Sequence, residues 1–293
     1  MTGASEPIPR PQLPRLPRVL IEPLVRAALA EDLGRAGDLT TDALIAPDAR
    51  ATGAIRARTA GRVAGVDAAC LAFELLDPAV QVDLHAPDGK TVEAGATILR
   101  VAGPARALLS GERVALNLLG HLSGIATATA ALVAAVAGTP AAIGDTRKTT
   151  PGLRALEKAA VRAGGGRNHR FGLDDAVLIK DNHIQLAGGP AAAVRRARAT
   201  VGHLVKIEVE VDTLAQLDAV LPERPDAVLL DNMDPETLRA AVARIDGRAV
   251  AEASGTITLE TAPAIAATGV DLISAGWLTH SAPALDVGLD VDG

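Results

Sequence analysis

From residue 138 onward the chain repeats one unit, and that repetition restricts its fold more than any other feature. Six apolar runs, AAIG, DDAVLI, HLVKIEVEV, DAVLL, RAVAEA and GVDLISA, each end in polar or glycine-rich residues. From the second run on, the end groups Asp181, Glu210, Asp231, Ser254 and Gly276 lie 29, 21, 23 and 22 residues apart. Such an interval holds one strand, one helix and two short loops. Nearly continuous apolar strands alternating with helical segments specify a parallel sheet covered by helices. Six units with chemistry at the C-terminal end of each strand point to a (β/α) barrel whose active site lies at that face. An open doubly wound sheet is the competing architecture, but no GxGxxG turn opens a helix after these strands.

The first hundred residues lack this rhythm. Residues 1–17 carry prolines at 7, 9, 11, 14 and 17 with Arg10 and Arg15 between them, the composition of an unpacked, partly polyproline tail. Val19 to Leu33 reads as a helix with Leu20, Leu24, Ala27 and Ala28 on one face and Gly34 as its stop. After GDLTTDALI, the runs ATGAIRART, GRVAGV and VQVDLHAPDGKTVEAGATILRVAG read as antiparallel strands and turns, with Asp88-Gly89 a hairpin turn and Asp67 to Leu76 a helix. Ala105 to Val136 is helical in pattern and carries Glu112, Arg113, Asn117 and His121 among apolar neighbours. The fold class is therefore α/β plus α+β, a small α+β domain joined to the barrel.

Composition removes several functions. With aromatic residues at 1% and no Tyr, the chain has few stacking platforms for single-stranded nucleic acid, and its formal charge of −6 offers no basic footprint. Cys70 stands alone, which excludes an intrachain disulfide framework or a multi-cysteine zinc site and suits a reducing cytoplasm. The weakly polar run from Ile125 to Gly138 is too short for a membrane span and is interrupted by Thr127 and Thr129. No apolar core follows the charges near the N-terminus, so no secretory signal is expected. These readings together predict a cytoplasmic protein with no membrane or nucleic-acid partner.

Charge concentrates where the barrel begins. Residues 145–184 hold eight Lys/Arg against five Asp/Glu, inside a chain that is net acidic. Within them Thr150 is placed to cap a helix, Pro151 suits its first turn, and Leu153, Leu156, Ala160 and Ala163 share one face. Gly164 to Gly166 then stop the helix and let Asn168, His169 and Arg170 turn back to the barrel mouth. Arg147, Lys148, His169, Arg170 and Lys180 would form a cationic pocket, and two arginine forks suit a ligand with two separate anionic groups. Glu210 and Asp231 end neighbouring strands and could hold Mg²⁺ with phosphate oxygens completing its octahedron, or could pair with nearby lysines. Ser254-Gly255-Thr256 and Ser274-Ala275-Gly276 end the last two strands, where barrels bind phosphate.

These residues carry a family resemblance. DTRKTTPGLRALEKAAVRAGGGRNHRFGLDDAVLIKDNHI resembles the signature of the quinolinate phosphoribosyltransferases, the carboxylating nicotinate-nucleotide pyrophosphorylases. The likeness extends to EDLGRAGDLTTDAL, GERVALNLLGHLSGIATAT, KIEVEV, LLDNM, EASGTIT and GVDLISAGWLTHSAPALDVGLD. It implies the conversion of quinolinate and 5-phosphoribosyl 1-diphosphate to nicotinate mononucleotide, pyrophosphate and CO₂ with Mg²⁺, a step of NAD biosynthesis. It also implies a homodimer with shared sites, in which Arg113 reaches the partner's pocket to join Arg147, His169, Arg170 and Lys180 around the two ring carboxylates.

By the same resemblance Lys148 sits near the pyrophosphate and the reacting centre as a catalytic residue with Glu210 and Asp231, which lie by the ribose and metal, and Ser254, Gly255 and Gly276 lie by the 5′-phosphate. The fold implied is an incomplete barrel over residues 114–283, with an α+β sandwich from residues 18–113 completed by residues 284–293. Ala160, Thr256 and Trp277 depart from the family's usual residues; none removes a charged site residue, and Trp277 lies one residue beyond an expected phosphate glycine, where it bears on the shape of that end. From the residues alone two other functions stay open. One is a barrel lyase using Lys148 or Lys180 as a Schiff base; the other is a phosphate-binding protein without turnover.

Overall fold

The computed structural model describes residues 15–292, so most of the proline-rich tail lies outside the described residues. Helix α1 (Arg18–Leu33) follows Pro17 and ends at Gly34, whose φ of +56° only glycine adopts easily. Its buried face is Ile21, Val25 and Leu29, one residue on from the expected stripe, and Leu20 is exposed. Apolar residues cover most of this helix, so periodicity alone left its rotation open. The short α2 (Leu39–Leu44) is capped by Asp38, whose carboxylate accepts the Thr41 N–H at 3.0 Å.

A four-stranded antiparallel sheet follows, in the order β12-β1-β5-β3. Its strands are β1 (Arg50–Ala57), β3 (Gln81–Leu84), β5 (Thr97–Pro104) and the chain's last strand, β12 (Val287–Asp292). β12 pairs with β1 from Thr52↔Asp292 to Ala57↔Val287, so the end of the chain completes the first sheet. A two-strand ribbon, β2 (Gly61–Arg62) with β4 (Thr91–Val92), and helix α3 (Val66–Glu74) fill out this unit. Half-buried Cys70 packs against its core, and burial pushes the thiol up to about 12. Asp88-Gly89 is not a hairpin turn, because β3 pairs with β5 and β4 with β2. Asp88 instead accepts the N–H of Val66 at the start of α3, at 3.1 Å.

Helix α4 (Ala105–Ala135) is the spine between the two cores and runs straight through the domain boundary expected at residues 113 and 114. By length and mean hydropathy it could cross a membrane, but its apolar side chains are used inside the protein. Leu108, Leu119, Leu122 and Ile125 belong to the first core and Leu132 to the second. The returning C-terminal segment crosses α4 at two glycines. The Leu285 N–H donates to the Gly120 carbonyl at 2.9 Å, and a Cβ at Gly124 would stand 2.1 Å from the Pro283 carbonyl oxygen.

The second core fills a six-stranded parallel sheet of order β6-β11-β10-β9-β8-β7. The strands are β6 (Ala142–Gly144), β7 (Val177–Ile179), β8 (Ile207–Val211), β9 (Ala227–Asp231), β10 (Val250–Ser254) and β11 (Leu272–Ser274). Six helical stretches, α5 (Arg154–Ala163), α6 (Asp181–Ala187) with α7 (Pro190–Thr200), α8 (Leu214–Val220), α9 (Pro235–Ile245), α10 (Ala262–Ala266) and α11 (Trp277–His280), follow them in turn. The last strand pairs with the first, which is barrel closure, while β6 and β7 do not pair. Arg167 partly fills that opening through a parallel bridge to Gly144. The incomplete barrel is therefore open where α5 and the glycine-rich loop pass.

A buried polar knot holds that opening in shape. The Lys158 ammonium lies 2.5 Å from Asp145 Oδ1, with both side chains essentially without solvent contact, and also donates to the His169 carbonyl at 3.0 Å. Asp145 further accepts the Asn168 amide at 2.6 Å and the His169 N–H at 2.8 Å. Thr150 does not cap α5 with its hydroxyl: the helix starts at Arg154, and the Thr150 N–H donates to Glu157 Oε2 at 3.0 Å. Glu157, also fully buried, bonds His121 of α4 at 2.8 Å, so the same knot ties the loop to the spine.

Two variants test this packing by urea unfolding. An exposed helical Gly→Ala change would gain ~1 kcal/mol, but Gly124→Ala is expected to lose about 1–3 kcal/mol, because the added methyl has nowhere to go. Asp145→Asn leaves the Lys158 charge buried alone and is expected to cost about 3–5 kcal/mol.

Candidate active site

A cavity of about 620 Å³ opens at the C-terminal ends of the barrel strands. Strand alternation selects its walls. On β8, Ile207, Val209 and Val211 pack into the core under the helices, which leaves Glu208 and Glu210 on the other face. The same two-residue period sends Leu178 and Lys180, Leu229 and Asp231, Glu252 and Ser254, and Ser274 and Gly276 to the cavity. Ten of the eleven residues singled out from the sequence line it: Arg147, Lys148, His169, Arg170, Lys180, Glu210, Asp231, Ser254, Gly255 and Gly276. Arg113 is exposed on α4 and lies outside this lining.

One wall is cationic and short of partners. The Nε atoms of Arg147 and Arg170 are both buried without a hydrogen-bond partner. Burial and the Arg147 charge hold the Arg170 guanidinium below its ordinary pKa, so an anion placed between the two would relieve both strains. Lys180 is held 2.5 Å from Glu210, so the expected ion-pairing alternative for Glu210 is present here. Lys148 is exposed, and its backbone is fixed on both sides. Its N–H donates to Thr146 Oγ1 at 3.0 Å, and its carbonyl accepts the Thr279 hydroxyl at 2.8 Å. A Cβ at Gly276 would stand 2.8 Å from Lys148 Cδ, so glycine there clears the path of the lysine stem.

The opposite rim gathers the other expected groups. Asn232 sits at φ +52° and donates to Asp231 Oδ2 at 2.6 Å. Gly255, at φ +130°, approaches it so closely that a Cβ would lie 2.5 Å from Asn232 Oδ1. Thr256 and Ser274 complete the end formed with Ser254, Gly255 and Gly276. Trp277 does not enter the cavity lining: its indole N–H donates to the Ile257 carbonyl at 2.9 Å and its ring packs on the barrel core.

The floor was the least legible part. His169 Nε2 lies 2.8 Å from Glu208 Oε2 and 3.8 Å from Glu252 Oε1. The Arg170 N–H donates to His169 Nδ1 at 2.7 Å, so both ring nitrogens are turned to the protein and the Nε2 proton points at Glu208. Burial opposes a charge on His169, but the bond to Glu208 and the negative charge beside it outweigh it and raise its pKa. A second ring proton would have to displace the Arg170 amide. The glutamates stand two residues before Glu210 and Ser254, so strand alternation was the signal that could have placed them on the same face.

The surroundings of these residues match known proteins over most of the chain. The model of the quinolinate phosphoribosyl transferase N-terminal domain matches residues 38–123, and that of the C-terminal domain residues 125–290. A nicotinate-nucleotide pyrophosphorylase [carboxylating] of Mycobacterium leprae is 48% identical over 91% of this chain and 95% of its own length. A probable enzyme of the same name from Bacillus subtilis is 46% identical over 92% and 93%. The solved nicotinate-nucleotide pyrophosphorylase of Francisella tularensis superposes with a TM-score of 0.91 at 39% identity, covering 97% of this chain and all of that one. With both family domains matched in order, and the cavity lined by the second of them, the chain belongs to the quinolinate phosphoribosyl transferase family.

Proposed function

We propose that this cavity joins quinolinate to 5-phosphoribosyl 1-diphosphate and releases pyrophosphate, CO₂ and nicotinate mononucleotide, as a carboxylating pentosyltransferase of NAD biosynthesis. The observation that carries the reading is the pair of buried, partnerless guanidinium nitrogens on Arg147 and Arg170 facing carboxylates at the ends of β8 and β9. Arg147, Arg170 and Lys180 bind and orient the two ring carboxylates, with His169 holding the loop that carries Arg170. Ser254, Gly255 and Gly276 receive the 5′-phosphate, and Lys148 faces the departing pyrophosphate.

Glu210 and Asp231 lie where positive charge develops on the ribose as its bond to pyrophosphate breaks, and they stabilise that charge. The same two carboxylates offer the hard oxygen donors that Mg²⁺ requires, so they would hold it, and when bound it neutralises the pyrophosphate. For them to do so Lys180 moves from Glu210 to a substrate carboxylate. Once the ring nitrogen is glycosylated and cationic it stabilises the electron pair left by CO₂.

In a homodimer, Arg113 of each subunit completes the partner's pocket, which accounts for its exposure on α4. The lone cysteine and the composition support a cytoplasmic enzyme acting on small molecules only.

Incubation with quinolinate, phosphoribosyl diphosphate and Mg²⁺ should yield CO₂ and nicotinate mononucleotide, with EDTA abolishing turnover; no product from the folded protein refutes the assignment. Nicotinate in place of quinolinate should react poorly, because one carboxylate leaves an arginine unsatisfied. Mixing inactive Arg113→Ala and Arg147→Ala chains restores up to about a quarter of wild-type activity if sites are shared across a two-fold interface. No recovery on mixing refutes the shared site.

A further inference from the structure

The unassigned chemistry of the cavity lies at its floor. Glu252, on β10, lines the cavity yet is only 2% exposed, and the basic group beside it, His169 Nε2, stands 3.8 Å from its Oε1, beyond hydrogen-bond reach. Its Oε1 has no hydrogen-bond partner, and neither has the buried hydroxyl of Ser274, which also lines the cavity. Beside it, Glu208 already receives the His169 proton through Oε2. A carboxyl group as dry as that of Glu252, with one oxygen unpartnered and no cation bonded to it, keeps its proton, because burial disfavours the charged form. Burial pushes its carboxyl up to about 8.

The proposed reaction needs such an acid. Loss of CO₂ leaves an electron pair on the ring carbon beside the nitrogen, and that carbon must gain one proton that neither substrate brings. The arginines do not release protons. In the proposed complex Lys180 holds a substrate carboxylate and Lys148 faces the pyrophosphate, so each ammonium is paired with an anion that keeps its proton in place.

We infer that Glu252 is the acid that protonates the ring carbon vacated by CO₂, with Glu208 and His169 as positioning residues beneath it. The inference rests on the reaction proposed above. The carbon–carbon bond breaks with its electrons left on the ring, those electrons take the Glu252 proton to form the new C–H bond, and Glu252 remains as a carboxylate. A solvent proton restores the acid after product leaves. Protonation also prevents CO₂ from recombining, which makes the decarboxylation irreversible.

The test is a single turnover with carboxyl-labelled quinolinate, following pyrophosphate and CO₂ separately in wild type, Glu252→Gln and Glu252→Asp. Glutamine matches the shape of the neutral acid without its proton. Glu252→Gln is expected to release pyrophosphate at close to the wild-type rate while CO₂ release falls about 100-fold or more, and Glu252→Asp to recover part of that loss. CO₂ release by Glu252→Gln at the wild-type rate overturns the inference. So does a parallel fall of both products, since that indicates a binding or folding role. The ligand atoms of His169, Glu208 and Glu252 lie within 4.8 Å of one another; a stoichiometric metal in purified wild type that is lost in Glu252→Gln also overturns the acid role. If wild type releases neither product, the reaction itself is misassigned, a result distinct from these.

Discussion

The ion pair between Asp145 and Lys158 sits where the barrel is weakest, at the opening between its first two strands. Taking two charges out of water seldom stabilises a protein more than apolar packing would. What this pair supplies is geometry. Asp145 is one residue past β6, Lys158 is on α5, and their hydrogen bonds reach Asn168 and His169 on the returning loop. Three separate pieces of chain thus meet at one point. Arg147, two residues from Asp145, and Arg170, one residue from His169, inherit their positions from it. The electrostatic tension between those guanidiniums is tolerable only because their backbones are fixed so firmly.

The cavity divides by charge sign, and the division follows chain order. Cations come from the ends of the first two strands and the loop between them, carboxylates from the middle three. Lys180 and Glu210 form the seam, 2.5 Å apart. Any ligand carrying both carboxylates and a metal-bound phosphate replaces this internal pair with external partners on both sides. Binding therefore exchanges one ion pair for others and leaves no buried charge uncompensated, the condition under which charged groups can be desolvated cheaply.

How far the sequence revealed this depended on which face each signal described. The barrel was legible because its strands are apolar on both sides and end in polar groups at regular intervals. Ten cavity residues followed, since strand ends in a barrel converge on one face. The rotation of α1 was not legible, because apolar residues lie on more than one of its faces. Asp88-Gly89 carried the local signal of a hairpin, and the pairing of β3 with β5 and β4 with β2 overruled it. Glu208 and Glu252 stand among the polar strand-end residues, but a buried carboxyl inside an apolar strand has the same letters as an exposed one, so the floor they form with His169 was not legible. Arg113 differs from these: it is exposed on α4 and outside the cavity lining, and nothing in its own fold turns it toward this site.

The pairing of the final strand with the first sheet sets an order of events on the ribosome. β12 lies against β1 although more than two hundred residues separate them, and the segment before it threads across α4 at Gly120 and Gly124. The N-terminal unit is synthesised first but keeps the edge of β1 unpaired until the last residues emerge. Contacts of such sequence separation form slowly, and an open edge is a template for wrong pairing. The barrel, by contrast, closes on itself within its own segment. The domain made first is thus the one finished last, and the chain's early half depends on a strand synthesised after the whole barrel.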